Sequence, residues 1–183
     1  AKVIEAGERI AEIVRKFILY GQDEVTAAGE FLPVATVLED ALLLIGYHLK
    51  SEGIQLETDL EAVPPAFPVH AQHMQQVFLS ILSTIRTGLV ERFAARDPRK
   101  KLSITTHTRV ENGQGRMFEI SIMDHGAVIP LESGHNQEPR SGRWGRRLGV
   151  CRRIVEEHGG RLVIGGEEEE YVRIRFSFPL KGD

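Results

Sequence analysis

Three short segments of the 183-residue chain carry side chains whose type and spacing could do chemistry. The first, residues 76–84, places Ser80 and Thr84 four apart, one turn of a helix, so that their hydroxyls share a face. The second, residues 124–130, begins Asp124-His125-Gly126 and runs through Val128 to Ile129-Pro130. The third, residues 145–160, opens Gly145-Arg146-Arg147-Leu148-Gly149 and ends on Gly159-Gly160. Around it Arg140, Arg143, Arg146, Arg147, Arg152 and Arg153 crowd beside Trp144. That stretch reads either as a solvated helix start or as a docking patch for an acidic partner, centred on Arg143, Trp144 and Arg146, since arginine and tryptophan are favoured at interface hot spots. His70 and His73 have a spacing that could begin a metal site, but no third ligand follows in the sequence and no metal is expected. Cys151 reads as a buried helix residue. No Ser-His-Asp or Cys-His arrangement can be argued from spacing.

The elements that must position these residues follow from periodicity. Residues 3–20 place Val3, Ala6, Ile10, Ile13 and Phe17 on one stripe, with spacings of three and four, as in a helix seam that needs a partner. Residues 22–30 form a polar linker. Thr36 to Glu39 fits a capping box opening a second helix, and Gly53 sits where its C-terminal cap is expected. Strands are expected over 54–60, 102–110 and 117–123, with a hairpin turn at 112–115. A third helix is expected over 71–93, an irregular stretch over 131–145, a fourth helix over 148–157, and final strands over 161–164 and 171–180. This order predicts an α/β fold, a two-layer sandwich of mixed sheet with helices on one face, preceded by a dimerisation-type helix.

Bulk properties narrow the function. Net charge is −3 and the pI is about 6.2, which gives no general attraction to nucleic acid or membrane. The single cysteine excludes a disulfide framework and suggests a reducing, cytoplasmic setting. No apolar run approaches the roughly 18 residues of a membrane span, so no membrane contact is expected. The chain starts without Met and already in helical pattern, which suggests a piece of a longer protein.

In their order, the three segments resemble the catalytic, ATP-binding domain of sensor histidine kinases, part of the wider ATPase superfamily that includes gyrase and heat-shock chaperones. The resemblance covers residues 31–180 and is strongest over 151–160. It makes residues 1–21 one helix of a dimerisation and phosphotransfer hairpin, 22–30 a linker, and 31–183 the ATPase-fold domain. In that family two asparagines on the third helix serve the phosphates and magnesium; here those positions are Ser80 and Thr84. The family's adenine-binding aspartate corresponds to Asp124, with Gly126 after it, but the next glycine is replaced by Val128. In the phosphate-binding segment Gly145 is kept and a second glycine is Arg147, whose guanidinium could fill the phosphate space and close the site. A hydroxyl that helps the aspartate is replaced by Val172, and the family's Phe-rich lid segment is absent. Each lost hydrogen-bond partner costs ~1–3 kcal/mol, so several together would remove ~5 kcal/mol of nucleotide affinity.

The sequence therefore points to a signalling domain of a two-component system with impaired or lost ATP binding and no cofactor. It would act by protein contact: as a homodimer through the N-terminal stripe, and with a response regulator or partner kinase. The alternative is a divergent but active kinase domain that uses ATP and Mg through Asp124 and Gly126. A further alternative is a phosphotransfer protein whose histidine lies upstream of residue 1.

Overall fold

The computed structural model describes residues 30–95, 97–111, 115–126, 143–167 and 171–180, without the side chains of Glu111, Arg143, Trp144 and Glu167. Val3, Ala6, Ile10, Ile13 and Phe17, the linker, the hairpin tip at 112–114 and Val128 lie outside the described residues.

The described chain starts with a short strand, β1 (Phe31–Pro33), followed by helix α1 (Val34–Ser51), strand β2 (Gln55–Asp59) and strand β3 (Pro68–His70). Helix α2 (Ala71–Arg92), strands β4 (Lys101–Glu111) and β5 (Gly115–Asp124), helix α3 (Arg143–Glu157), and strands β6 (Arg161–Glu167) and β7 (Tyr171–Leu180) follow. β1 and β3 pair antiparallel as a separate ribbon. The main sheet has the order β2-β4-β5-β7-β6; β2 runs parallel to β4 and every other pair is antiparallel. α1 packs on α2, α2 on α3, and α3 on β6, giving the expected two-layer sandwich with its helices on one face.

Strand alternation decides which face the helices cover. Ile104, Ile122, Ile174 and Ile164 line up across four strands, as do Ile120, Phe176 and Leu162 in the next row, and all are buried. Phe78 of α2 meets Phe176 edge-on at 5.3 Å between ring centroids. The opposite face is polar. There Glu119, only 4% exposed, lies among Arg109 at 2.6 Å, Arg175 at 3.2 Å and His107 at 3.7 Å. A carboxylate removed from water needs such partners.

Two helix boundaries differ from the sequence reading. α1 begins at Val34, so the capping box at Thr36 and Glu39 does not form; Pro33 occupies the N-cap without a side-chain bond, and the Val34 N–H donates instead to the Phe67 carbonyl at 2.9 Å. A tertiary acceptor thus replaces the local one. α3 begins at Arg143, five residues before the expected Leu148, and takes Gly145 into its helical span. The C-terminal cap of α1 is as expected. Gly53 has φ 72°, Ile54 N–H returns to the Leu49 carbonyl at 2.9 Å, and a Cβ at Gly53 would lie 2.2 Å from the Ala95 carbonyl oxygen.

Candidate functional site

α2 and α3 run antiparallel along a seam, and the chemistry-bearing residues sit on it in register. Near the start of α2 the His73 ring meets His158, just beyond α3, at 6.1 Å. In the middle, Ser80 and Cys151 face the same pocket from opposite sides of the seam. One turn further, Arg147 Nη1 donates to Thr84 Oγ1 at 3.0 Å, and that hydroxyl donates to the Ser80 carbonyl at 2.5 Å. The periodicity of α2 places its apolar residues Met74, Val77, Phe78, Ile81 and Leu82 in the core, which leaves the Ser80–Thr84 stripe to meet α3.

The seam opens into a pocket of about 260 Å³ lined by Val77 and Ser80 from α2 and Arg147, Val150, Cys151 and Ile154 from α3. Its floor is apolar and its rim cationic. Cys151 is 3% exposed, and burial raises its thiol above the ordinary cysteine range, partly countered by Ser80. A protonated, buried thiol is a packing residue rather than a nucleophile.

Asp124 ends β5 on the helix-facing side, at the end of the apolar rows. It is fully buried and pairs in register with Leu102 on one side and Val172 on the other. Val172 is the neighbour that the sequence assigned to it, and no hydroxyl comes from that position. The Gly126 N–H donates to Asp124 Oδ1 at 2.8 Å. Gly126 is tightly held: a Cβ there would meet Leu89 Cδ2 and Phe93 Cε2, each at 2.6 Å. The small residue is required by this close approach.

The structure thus brings Ser80, Thr84 and Arg147 together, and Asp124, Gly126 and Val172 together. Gly145 lies in the first turn of α3 rather than in a loop, and Arg146 lines the rim of the pocket. Arg143 and Trp144 lie in the same turn, and their side chains are outside the description. Val128 and the N-terminal stripe are not placed.

Sequence reasoning named His70 and His73 but missed the third ring beside them, His158. The His70 and His73 rings stack at 4.0 Å, His158 closes on His73, and the Phe31 ring meets His70 at 5.9 Å. Burial lowers the pKa of His70, and the neighbouring His73 and His158 lower it further. Among the described residues no group of three or more His, Cys, Asp or Glu is arranged to hold a metal ion. His125, whose pKa is also lowered by burial and then by Lys101, shares a hydrogen with Ser103 Oγ at 2.8 Å. No helix of the described residues is long and apolar enough to cross a membrane.

Comparison with known proteins fits this geometry. No family model matches the chain. The chain is 27% identical over 160 residues to the adaptive-response sensory kinase SasA of Prochlorococcus marinus, covering 81% of this chain and 40% of that protein. It is 24% identical over 181 residues to the sensor protein TdiS of Thauera aromatica, covering 96% of this chain and 31% of that protein. The chain therefore spans two fifths or less of the length of these relatives. Among solved structures, the catalytic domain of the histidine kinase ThkA superposes with a TM-score of 0.59 at 17% identity, covering 82% of this chain and 97% of that domain. The described residues form a domain of the sensor histidine kinase catalytic fold, and the chain is a relative of the sensory kinases of two-component signalling.

Proposed function

We propose that this is a histidine-kinase-like signalling domain whose nucleotide binding is impaired or lost, and which acts through protein contacts. One observation carries the reading. Of the two hydroxyls at the positions of the family's phosphate-side asparagines, that of Thr84 is engaged within the protein, with Arg147 and the Ser80 carbonyl, and Ser80 lines the pocket beside the buried Cys151. A magnesium-bound phosphate would have to displace a cation and break these bonds. The full burial of Asp124 and the apolar Val172 beside it support the same conclusion, since adenine recognition needs a reachable carboxylate. The signalling contacts are a homodimer through Val3, Ala6, Ile10, Ile13 and Phe17, and a response regulator or partner kinase meeting the Arg143, Trp144 and Arg146 patch in the cytoplasm.

The retained pair of Asp124 and Gly126 favours a second reading, an active kinase domain that binds ATP and Mg. Titration calorimetry with ATP and an uncleavable analogue, with and without magnesium, separates the two. Absence of heat at ~1 mM ligand means binding weaker than about −4 kcal/mol and supports the proposal. Affinity near ~10 μM that disappears in Asp124→Ala overturns it.

A further inference from the structure

The pocket on the α2–α3 seam joins an apolar floor to a cationic end. Val77 of α2 and Val150, Cys151 and Ile154 of α3 line it, with Arg146 and Arg147 where α3 begins. Val150 stands 49% exposed at the mouth. Burial keeps the Cys151 thiol protonated, so the floor carries no charge of its own. α2 has no acidic residue before Glu91 and α3 has none before Glu156, so neither helix brings a carboxylate to the two arginines. Arg147 donates one N–H to the neutral Thr84 hydroxyl, which leaves its charge uncompensated and other donors of the guanidinium available. Among the described residues neither arginine has a carboxylate partner.

Size and charge together specify a ligand. A concave, mainly apolar surface with a few polar groups at one end is the usual form of a small-molecule site. The volume is about 260 Å³. An apolar cavity of ~150 Å³ holds benzene, so this one holds roughly ten non-hydrogen atoms. Two neighbouring guanidinium groups match a planar carboxylate, which each can grip with paired N–H donors. A triphosphate matches poorly, because several charges would lie on an apolar floor. We propose that the seam pocket binds a compact organic monocarboxylate, with its ring or short chain over Val77, Val150 and Ile154 and its carboxylate at Arg146 and Arg147. This site goes beyond the loss of nucleotide binding and does not depend on it, since Asp124, Gly126 and Val172 take no part in the pocket.

Phenylacetate and phenylacetamide, which match in size and differ in charge, test this in titrations of the whole chain followed by amide NMR shifts. Ligands of this size bind with dissociation constants on the order of 0.1–1 mM, and phenylacetate should move the amides of Val77, Ser80, Val150 and Cys151 in that range. Phenylacetamide should bind about tenfold more weakly. Arg146→Gln, at an exposed position, should weaken phenylacetate about fivefold and leave phenylacetamide unchanged. Val150→Trp fills the mouth and should abolish both. Cys151 is the only cysteine, so bound phenylacetate should also slow alkylation of the chain by iodoacetamide. Far-ultraviolet dichroism shows whether each variant is folded, and Arg146→Gln carries the charge test alone if Val150→Trp is not. Absence of shifts up to about 5 mM, equal affinity for acid and amide, or binding that a folded Val150→Trp leaves intact overturns the proposal. Such a failure leaves the Mg-ATP question untouched, because that affinity is read in a separate titration.

Discussion

The two ends of the α2–α3 seam solve the same packing problem with opposite electrostatics. At one end three imidazoles crowd together: His70 stacks on His73 and His158 closes the cluster. Burial and the two neighbouring imidazoles lower the pKa of His70. At the other end a cation, Arg147, bridges to the Thr84 hydroxyl at the edge of solvent. One end fails when charge is added. The other holds a charge at the mouth of the pocket, where Arg147 reaches across to α2. A single helix pair thus carries a cluster of imidazoles at one end and a cation-rimmed pocket at the other, and the two can be disturbed separately.

The largest effect should come from what both ends share, the apolar backing of α3. Leu148 is 3% exposed and follows Arg147 directly. Leu148→Ala should cost about 2–4 kcal/mol, read as a lowered midpoint in urea, because the cavity collapses only partly. If the loss is below about 1 kcal/mol, the seam is not anchored there and both ends should be treated as surface contacts.

Smaller in size but opposite in pH behaviour is the histidine end. A folded-state pKa held below the unfolded value means the unfolded chain takes up the proton first. Stability from this cluster is therefore fully present above the unfolded value of about 6.5 and is lost as pH falls through the window below it. Thermal melts from pH 8 to pH 5 should show the midpoint falling on the acid side. His73→Phe keeps a stacked ring and removes a charge, so its acid loss should be shallower. Equal slopes for the two proteins would assign the acid loss to other groups.

Much of this arrangement was legible in the sequence, for physical reasons that vary by element. α2 was readable because its apolar residues repeat at helical spacing from Met74 to Leu89, about four turns, and that period also put Ser80 and Thr84 on one face. The place of Val172 beside Asp124 came from the family resemblance aligned on Phe178-Pro179, and the strand register, with Phe178 opposite Phe118, puts Val172 opposite Asp124. The β1–β3 ribbon was not, because three-residue strands containing Pro33 and Pro68 carry no periodic signal and are held by a tertiary partner. The early start of α3 was hidden by Gly145, which local propensity reads as loop. The third histidine of the cluster lies 85 residues from His73 in sequence, and only the antiparallel seam brings it near.

The smallest change in stability should come at the arginine end, and it is the most informative about function. Arg147 is exposed and its bond to Thr84 faces solvent, so Arg147→Ala should alter stability by less than about 0.5 kcal/mol. Its effect on ligands should be larger. With the guanidinium gone, the Thr84 hydroxyl keeps its bond to the Ser80 carbonyl but loses its cationic neighbour, and the pocket rim becomes open to a polyphosphate. If Arg147 blocks the site, Arg147→Gly, which also restores the backbone freedom of a phosphate-binding segment, should bind Mg-ATP more tightly than the parent chain in the same calorimetric titration. If Arg147 instead acts as a counter-charge for bound phosphate, the same substitution should weaken binding, and the parent chain should show measurable affinity that falls with added salt. The sign of that one difference therefore decides whether the two ends of the seam are a joint and a plug or a joint and a working nucleotide site.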